Sequence, residues 1–241
     1  MIIRFIAFFF FAFTLSFVSK AEETTADGTR KERKNYGYLL YLPKDYQTSN
    51  KKYPLVIYLH GGSQKGKDLN KLKAYGLPQL VEQGANFDFI IASPQCPSEA
   101  SLWSTENWFD PLFEELTSKL KIDTDRVYLT GISMGGGGTF EVAKENPDKF
   151  AALVPLCAWQ SAATDICKLK SIPIWTFHGV ADDIVPISQT TEKVDKLNDC
   201  QGNIKFTQLD NEGHAIQWLY GDKDKYRILD WMLSHKKKQG K

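Results

Sequence analysis

The chain has 241 residues, enough for one large α/β domain or two small ones, so it can bury a sizeable core. Lys and Arg together number 30, and Asp and Glu number 29. This balance gives no sign of binding to nucleic acid, to an anionic membrane surface or to a polyanionic substrate. We therefore expect small or neutral partners and no nucleic acid.

The N-terminal residues have the pattern of an export signal. A basic start at 1–4 precedes an apolar run at 5–18, which is shorter than the roughly 20 residues of a membrane-spanning helix. Small residues at Ser19 and Ala21 predict cleavage after Ala21. We expect residues 1–21 to be a signal peptide, with an uncleaved anchor as the alternative. The mature protein would then be periplasmic or extracellular, without a stable membrane anchor.

The rest of the chain alternates between predicted strands and predicted helices. Residues 22–34 form a polar leader without periodicity. Apolar segments rich in β-branched and aromatic residues predict strands at 36–42, 53–59, 87–92, 126–131, 150–157, 172–178 and 204–209. Helical spacing is found at 68–83, 108–120, 134–145, 188–198 and 223–236. This alternation predicts a parallel α/β sheet with helices on both faces, in a single domain spanning 35–241.

A Gly-x-Ser-x-Gly motif lies at 131–135, where a predicted strand runs into a predicted helix. A sharp turn of this kind holds the serine in strained torsions and exposes its hydroxyl above the sheet edge. The motif makes Ser133 the candidate nucleophile. The Gly-rich segment does not fit either phosphate-binding pattern, so nucleotide binding is not expected.

A serine nucleophile needs a base, and histidine can act as one near neutral pH. In a doubly wound hydrolase sheet the order is Ser, acid, His, so His60 comes too early. His235 lies in a Lys-rich tail, where we expect a solvated surface role, and this leaves His214 after the last predicted strand. His178 ends a strand, and we expect a buried structural ring there. Asp182 and Asp183 follow the preceding strand, and one of them should orient His214.

An oxyanion hole requires two backbone N–H groups next to the nucleophile. Met134 follows the nucleophile directly and supplies the first. The Gly-rich loop after the second predicted strand supplies the other, from Gly62, with Ser63 as the reserve.

The segment from about 36 to 236 resembles the α/β-hydrolase superfamily, in particular single-domain esterases and predicted peptidases related to phospholipase/carboxylesterases, polyhydroxybutyrate-depolymerase-like esterases and dienelactone hydrolases. Besides the serine motif, the resemblance rests on the segments 38–43, 75–80, 93–97, 178–186 and 213–218. It implies an α/β-hydrolase fold with about seven or eight strands. It also implies Ser133, Asp182 and His214 as catalytic residues, with Gly62 and Met134 at the oxyanion positions.

The tryptophans and cysteines give further expectations. Trp103, Trp108, Trp159 and Trp218 fall in loops or helix starts on the expected catalytic side, where they could line a substrate cleft. The alternative, which we expect for at least half of them, is that they pack loops onto the sheet. The four cysteines allow three complete pairings. The strand order usual in this fold places Cys167 and Cys200 at the same edge of neighbouring strands, so we predict that these two form a disulfide. Cys96 and Cys157 both follow strands at the catalytic edge, but in the usual order two other strands separate theirs, so we expect both to be free.

These features predict an exported serine esterase that cleaves a small-molecule or carbohydrate ester through an acyl-enzyme intermediate. We expect no cofactor and no metal, since no cluster in the sequence has metal-ligand spacing. Two alternatives remain: a small serine peptidase of the same superfamily, and a carbohydrate- or ligand-binding module without catalysis. No oligomeric state is predicted.

Overall fold

A single mixed sheet organises the computed structural model, which describes residues 34–98 and 102–237. The predicted signal peptide and nearly all of the polar leader lie outside these residues. The strands are β1 (Tyr38–Tyr41), β2 (Tyr53–Leu59), β3 (Ile90–Pro94), β4 (Ile122–Ile132), β5 (Ala152–Leu156), β6 (Ile174–Gly179) and β7 (Ile204–Leu209). Their order across the sheet is β1-β3-β2-β4-β5-β6-β7. Only β1 pairs in the antiparallel sense, with β3, among the strands described.

Helices cover both faces of the sheet. They are α1 (Gly76–Glu82), α2 (Phe109–Lys119), α3 (Met134–Glu145), α4 (Ser188–Asp199) and α5 (Ile228–Leu233). Side chains of α2, α3 and α4 belong to the apolar core on one face, and those of α1 and α5 to the core on the other. The buried strand β2 alternates between the two cores, with Leu55 and Ile57 in the first and Val56 and Tyr58 in the second. The predicted mostly parallel sheet with helices on both faces is therefore confirmed.

Two predicted helices differ from the structure. The segment 68–83 divides into a 3₁₀ helix (Leu69–Ala74) and α1, because the chain turns at Gly76 with φ +73°. The segment 223–236 is helical only in α5, since the Asp222 side chain accepts hydrogen bonds from backbone N–H groups up to Arg227 and holds a turn there. None of the helices within residues 34–98 and 102–237 has the length and hydrophobicity needed to cross a bilayer.

A disulfide joins Cys167 and Cys200. Cys167 lies in a short 3₁₀ helix (Ile166–Leu169), and Cys200 follows the last residue of α4. Cys96 and Cys157 are buried free thiols. The bond ties the segment before β6 to the segment before β7, at the edge of the sheet opposite the carboxyl ends of the strands.

We expect replacement of both Cys167 and Cys200 by Ser to lower the unfolding temperature by about 10 °C. The disulfide closes a loop with a sequence separation of 33, which in the chain-entropy account corresponds to about 3–4 kcal/mol. Calorimetry of both proteins with and without reductant checks this. Reductant should shift only the wild type, and a wild-type transition that reductant leaves unchanged would contradict the prediction.

Candidate active site

Ser133 occupies a strained turn between β4 and α3. Its backbone has φ 58° and ψ −119°, a conformation that costs a non-glycine residue on the order of 1–3 kcal/mol. A methyl group added to Gly131 or Gly135 would collide with the backbone carbonyl of Leu59, so both flanking glycines are needed for the turn to pack against β2. The Ser133 N–H donates to the Leu156 carbonyl over 2.9 Å. The turn is thus held at the carboxyl edge of the sheet.

Asp182 and His214 form a hydrogen-bonded pair at the same edge. The carboxylate of Asp182 follows β6, the ring of His214 follows β7, and Nδ1 of His214 lies 2.8 Å from Oδ2 of Asp182. The Asp182 side chain is fully buried, whereas 17% of the His214 side chain is exposed. Because the carboxylate fixes Nδ1–H, the Nε2 atom of His214 is left as the proton acceptor.

Hydrogen bonds keep the buried carboxylate of Asp182 ionised. Burial opposes ionisation, but the N–H groups of Val185 and Ile184 donate to Oδ1 over 2.8 and 3.0 Å. Together with His214, they hold the pKa of Asp182 below its ordinary value. Asp183 is exposed and makes no contact of this kind with His214.

The His214 loop and the Ser133 turn meet at the end of β5. Cys157, directly after β5, places Sγ 3.8 Å from the carbonyl oxygen of His214, and the preceding Leu156 accepts the N–H of Ser133. No hydrogen bond joins Ser133 to His214 in the described structure. Bonds of this type are often long without substrate and tighten in the Michaelis complex. The sheet therefore brings all three predicted catalytic residues to one edge.

The loop after β2 lies beside Ser133. A methyl group built on Gly61 would lie 3.5 Å from Cβ of Ser133, while one built on Gly62 would meet nothing within 4 Å. Gly62 begins a 3₁₀ helix and Met134 begins α3, so the N–H of each is a helix-terminal donor without an acceptor inside its own helix. Two such donors beside a nucleophile can stabilise a developing oxyanion.

His60 fixes the loop that carries Gly62. Its ring is buried, and Nδ1 lies 2.6 Å from the Gly61 carbonyl, which can only accept, so Nδ1 carries the proton. Nε2 then accepts the N–H of Cys96 over 3.0 Å. The ring is neutral, because burial lowers the pKa of His60 to about 4. This arrangement orients the peptide between Gly61 and Gly62.

We expect stability to fall as the pH drops from about 6.5 to about 4, partly because of His60. Its pKa is lower in the folded state, so the unfolded chain binds more protons in this window and acid favours unfolding. A shift of this size corresponds to about 3 kcal/mol. Urea midpoints measured from pH 4 to 8 test this, and His60→Gln should flatten the profile. A wild-type midpoint unchanged over the window would contradict it.

Two of the four candidate substrate-binding tryptophans lie in the core instead. Trp103 and Trp108 are each 1% exposed, so the prediction that they line a cleft is wrong. Their indole N–H groups donate to the carbonyls of His60 and Trp103, respectively. Trp159 is half-buried, and its backbone N–H donates to the Ser133 carbonyl, whereas Trp218 is 42% exposed, four residues after His214. Both of these remain candidates for substrate contact.

Tyr75 was not among the predicted site residues. Its hydroxyl lies 3.2 Å from Oγ of Ser63, and 2.9 Å from the methyl position built on Gly61 that also contacts Ser133. A hydroxyl therefore borders the oxyanion loop. The sequence contained this tyrosine only as part of a motif shared with relatives, and nothing local indicates that it reaches the loop after β2.

One group of side chains has the spacing of a metal site. Ligand atoms of Cys157, His178 and Asp182 all lie within 4.8 Å of one another. However, burial raises the pKa of Cys157, which disfavours the thiolate that a metal would need. His178 and Asp182 are also engaged, with Val185 and His214. These contacts disfavour a metal here, and its absence stays a prediction.

The chain is similar to known esterases. The family model described as PET hydrolase-like matches residues 113–235, just over half of the chain, and includes Ser133, Asp182 and His214. Feruloyl esterase D of Neurospora crassa is 27% identical over 219 residues, covering 83% of this chain and 72% of that protein. A bifunctional acetylxylan esterase/xylanase of Neocallimastix patriciarum is 25% identical over 172 residues, covering 69% of this chain and 24% of that protein.

A solved structure of a thermostable esterase superposes with a TM-score of 0.69 at 27% identity, covering 83% of this chain and 59% of that one. The chain thus spans about a quarter of the bifunctional relative and three fifths of the thermostable esterase. The resemblance inferred from sequence motifs is confirmed. The chain belongs to the PET hydrolase-like family, a family of esterases with the α/β-hydrolase fold.

Proposed function

We propose that the protein is a serine esterase in which Ser133, His214 and Asp182 act as a catalytic triad. The hydroxyl oxygen of Ser133 attacks the ester carbonyl while Nε2 of His214 takes its proton. The N–H groups of Gly62 and Met134 stabilise the oxyanion. His214 then gives the proton to the departing alcohol. Water, deprotonated by the same histidine, attacks the acyl-enzyme and releases the acid and Ser133.

The observation that carries this proposal is the buried, ionised Asp182 bonded to His214 over 2.8 Å, at the sheet edge that also holds the strained Ser133 turn. A buried carboxylate is costly unless it has partners, and the Oδ2 atom of this one lies 2.8 Å from Nδ1 of His214, an imidazole that is 17% exposed. A structural ion pair would not also require a serine in a left-handed turn. The chemistry of the three groups together is that of acyl transfer.

Exposed apolar side chains support a substrate with an apolar part. The large hydrophobic side chains Val180 and Ile184, which flank Asp182, are 45% and 66% exposed, and Trp218 follows His214. Exposed apolar groups clustered beside a polar site are typical of ligand contact. Since relatives are named acetylxylan and feruloyl esterases, we propose a small or carbohydrate-linked carboxylic ester with Trp159 and Trp218 at its binding site.

A substrate panel tests the proposed reaction. The panel compares p-nitrophenyl acetate, p-nitrophenyl butyrate and methyl ferulate with a peptide p-nitroanilide. We expect kcat/KM for the esters to be at least about 100-fold higher. Resonance stabilises an ester less than an amide, so the barrier to attack on the carbonyl is lower. Faster cleavage of the anilide would favour the peptidase alternative. Binding of carbohydrate without turnover of any ester would favour the non-catalytic alternative.

Export of a single catalytic domain completes the proposal. The apolar run at 5–18 supports cleavage after Ala21, and a disulfide between Cys167 and Cys200 suits an oxidising compartment. Expression of the full chain in a bacterial host, followed by intact-mass analysis of the periplasm and medium, tests this. We expect a mature protein beginning at Glu22. Full-length protein confined to the membrane fraction would contradict it.

A further inference from the structure

His178 is a buried histidine that the proposed reaction does not use. It lies near the end of β6, four residues before Asp182, and its side chain is fully buried. Nε2 lies 2.8 Å from the Val185 carbonyl oxygen and 3.2 Å from Oδ2 of Asp182. Nδ1 lies 2.8 Å from Oγ1 of Thr190 on α4. The ring therefore bridges β6, the Asp182 loop and α4.

These contacts define the protonation of the ring. Both oxygens that face Nε2 can only accept, so Nε2 carries a proton, and Nδ1 accepts the hydroxyl proton of Thr190. Burial lowers the pKa of His178, although its contacts with Val185 and Asp182 oppose this. The ring is consequently a neutral donor of a single N–H to the Asp182 loop.

The loop that His178 holds is the one that positions the carboxylate. Val185 donates its N–H to Oδ1 of Asp182 and accepts the His178 N–H at its carbonyl. The ring and the carboxylate are therefore both hydrogen-bonded to the backbone of the same residue. Oδ2 of Asp182 faces two imidazoles, His178 at 3.2 Å and His214 at 2.8 Å. Replacing the ring would therefore alter both the position of the Asp182 carboxylate and the stabilisation of its negative charge.

We propose that His178 is a positioning residue that holds the Asp182 loop and weakens the electrostatic attraction between Asp182 and protonated His214. This inference rests on the proposed function. Without the His178 N–H, the loop loses one anchor, and the charge on Oδ2 is shared with no second donor. Protonated His214 is then stabilised more strongly. Among the described residues, Cys157 after β5 and His214 after β7 are further titratable groups near the ring, while α4 presents the uncharged Thr190.

Kinetics of matched variants test the role. We expect His178→Leu to lower kcat/KM by about 10- to 100-fold, the range for loss of a hydrogen bond to a charged group. We also expect the acid limb of its pH profile to move to higher pH by about half a unit or more. His178→Gln, which keeps an N–H donor, should recover part of both effects. Thr176→Val, which removes a buried hydroxyl two residues earlier on β6, should lower stability without moving the limb.

An acid limb at the same pH in His178→Leu, Thr176→Val and the wild type would overturn the proposal, because activity would then only follow stability. Nitrogen-15 NMR of histidine-labelled wild type gives a test that does not depend on a variant folding. We expect His178 to carry its proton on Nε2 at neutral pH, and protonation on Nδ1 instead would overturn the proposal. Loss of the proposed function itself would appear separately, as an active Ser133→Ala variant.

Discussion

Ser133→Ala is expected to abolish ester cleavage while the protein remains folded. Removing the nucleophile of a triad typically costs at least about 10⁴-fold in kcat, because only substrate binding and the oxyanion donors remain. The side chain makes no hydrogen bond on which the fold depends, since the turn is held by backbone contacts of Ser133 with Leu156, Trp159 and Gly137. The measurement is kcat with p-nitrophenyl acetate, together with a thermal melt of each protein.

The control for this variant is Ser63→Ala, which removes an exposed hydroxyl on the neighbouring loop. We expect it to stay within about tenfold of the wild type, since it removes one hydrogen bond with Tyr75 and leaves the backbone donors in place. Near-normal turnover by Ser133→Ala would show that another group performs the attack. Equal losses in both variants would indicate a disturbed loop instead of a missing nucleophile.

Asp182→Asn is expected to reduce kcat by about 10⁴-fold. The amide can donate to Nδ1 of His214, which favours the tautomer whose proton sits on Nε2, facing the nucleophile. The base is then blocked, although the ring stays in place. The matched variant is Asp183→Asn, whose exposed side chain makes no such contact, and we expect it to remain within a few-fold of the wild type.

Comparing the two aspartate variants also tests which of the two adjacent side chains the loop directs toward His214. The Ile184 and Val185 N–H groups both point to Asp182, so the structure leaves no comparable set of donors for Asp183. If Asp183→Asn were the inactive variant and Asp182→Asn the active one, the assignment of the acid would move by one residue.

Much of the fold could be predicted because several strands, such as β2, β3, β5 and β6, are buried on both faces. The continuous apolar run at 53–59 became β2 with the same bounds, since a strand between two helical layers needs apolar residues on both sides. Helix ends were harder to predict. Asp222 holds four successive N–H groups and delays α5 until Ile228, and helical spacing alone does not reveal this competition.

The candidate site was predictable where chain order carries the information. Ser133, Asp182 and His214 each follow a predicted strand, and parallel strands bring the following loops to one edge. The burial of the Trp103 side chain could not be predicted, because it involves a hydrogen bond from the indole N–H to the carbonyl of His60, which is distant in the sequence. The contact of His178 with Asp182 was missed for a related reason, since it depends on how the loop folds back onto β6.

Trapping of the nucleophile is the most direct test of the central claim. The mature protein is treated with a fluorophosphonate, which reacts with an activated serine hydroxyl, and is analysed by intact mass and peptide mapping. The account predicts one added phosphonyl group, located on Ser133, with no labelling of Ser133→Ala and greatly slowed labelling of Asp182→Asn. An unlabelled but folded wild type, or a label on any other residue, would contradict it.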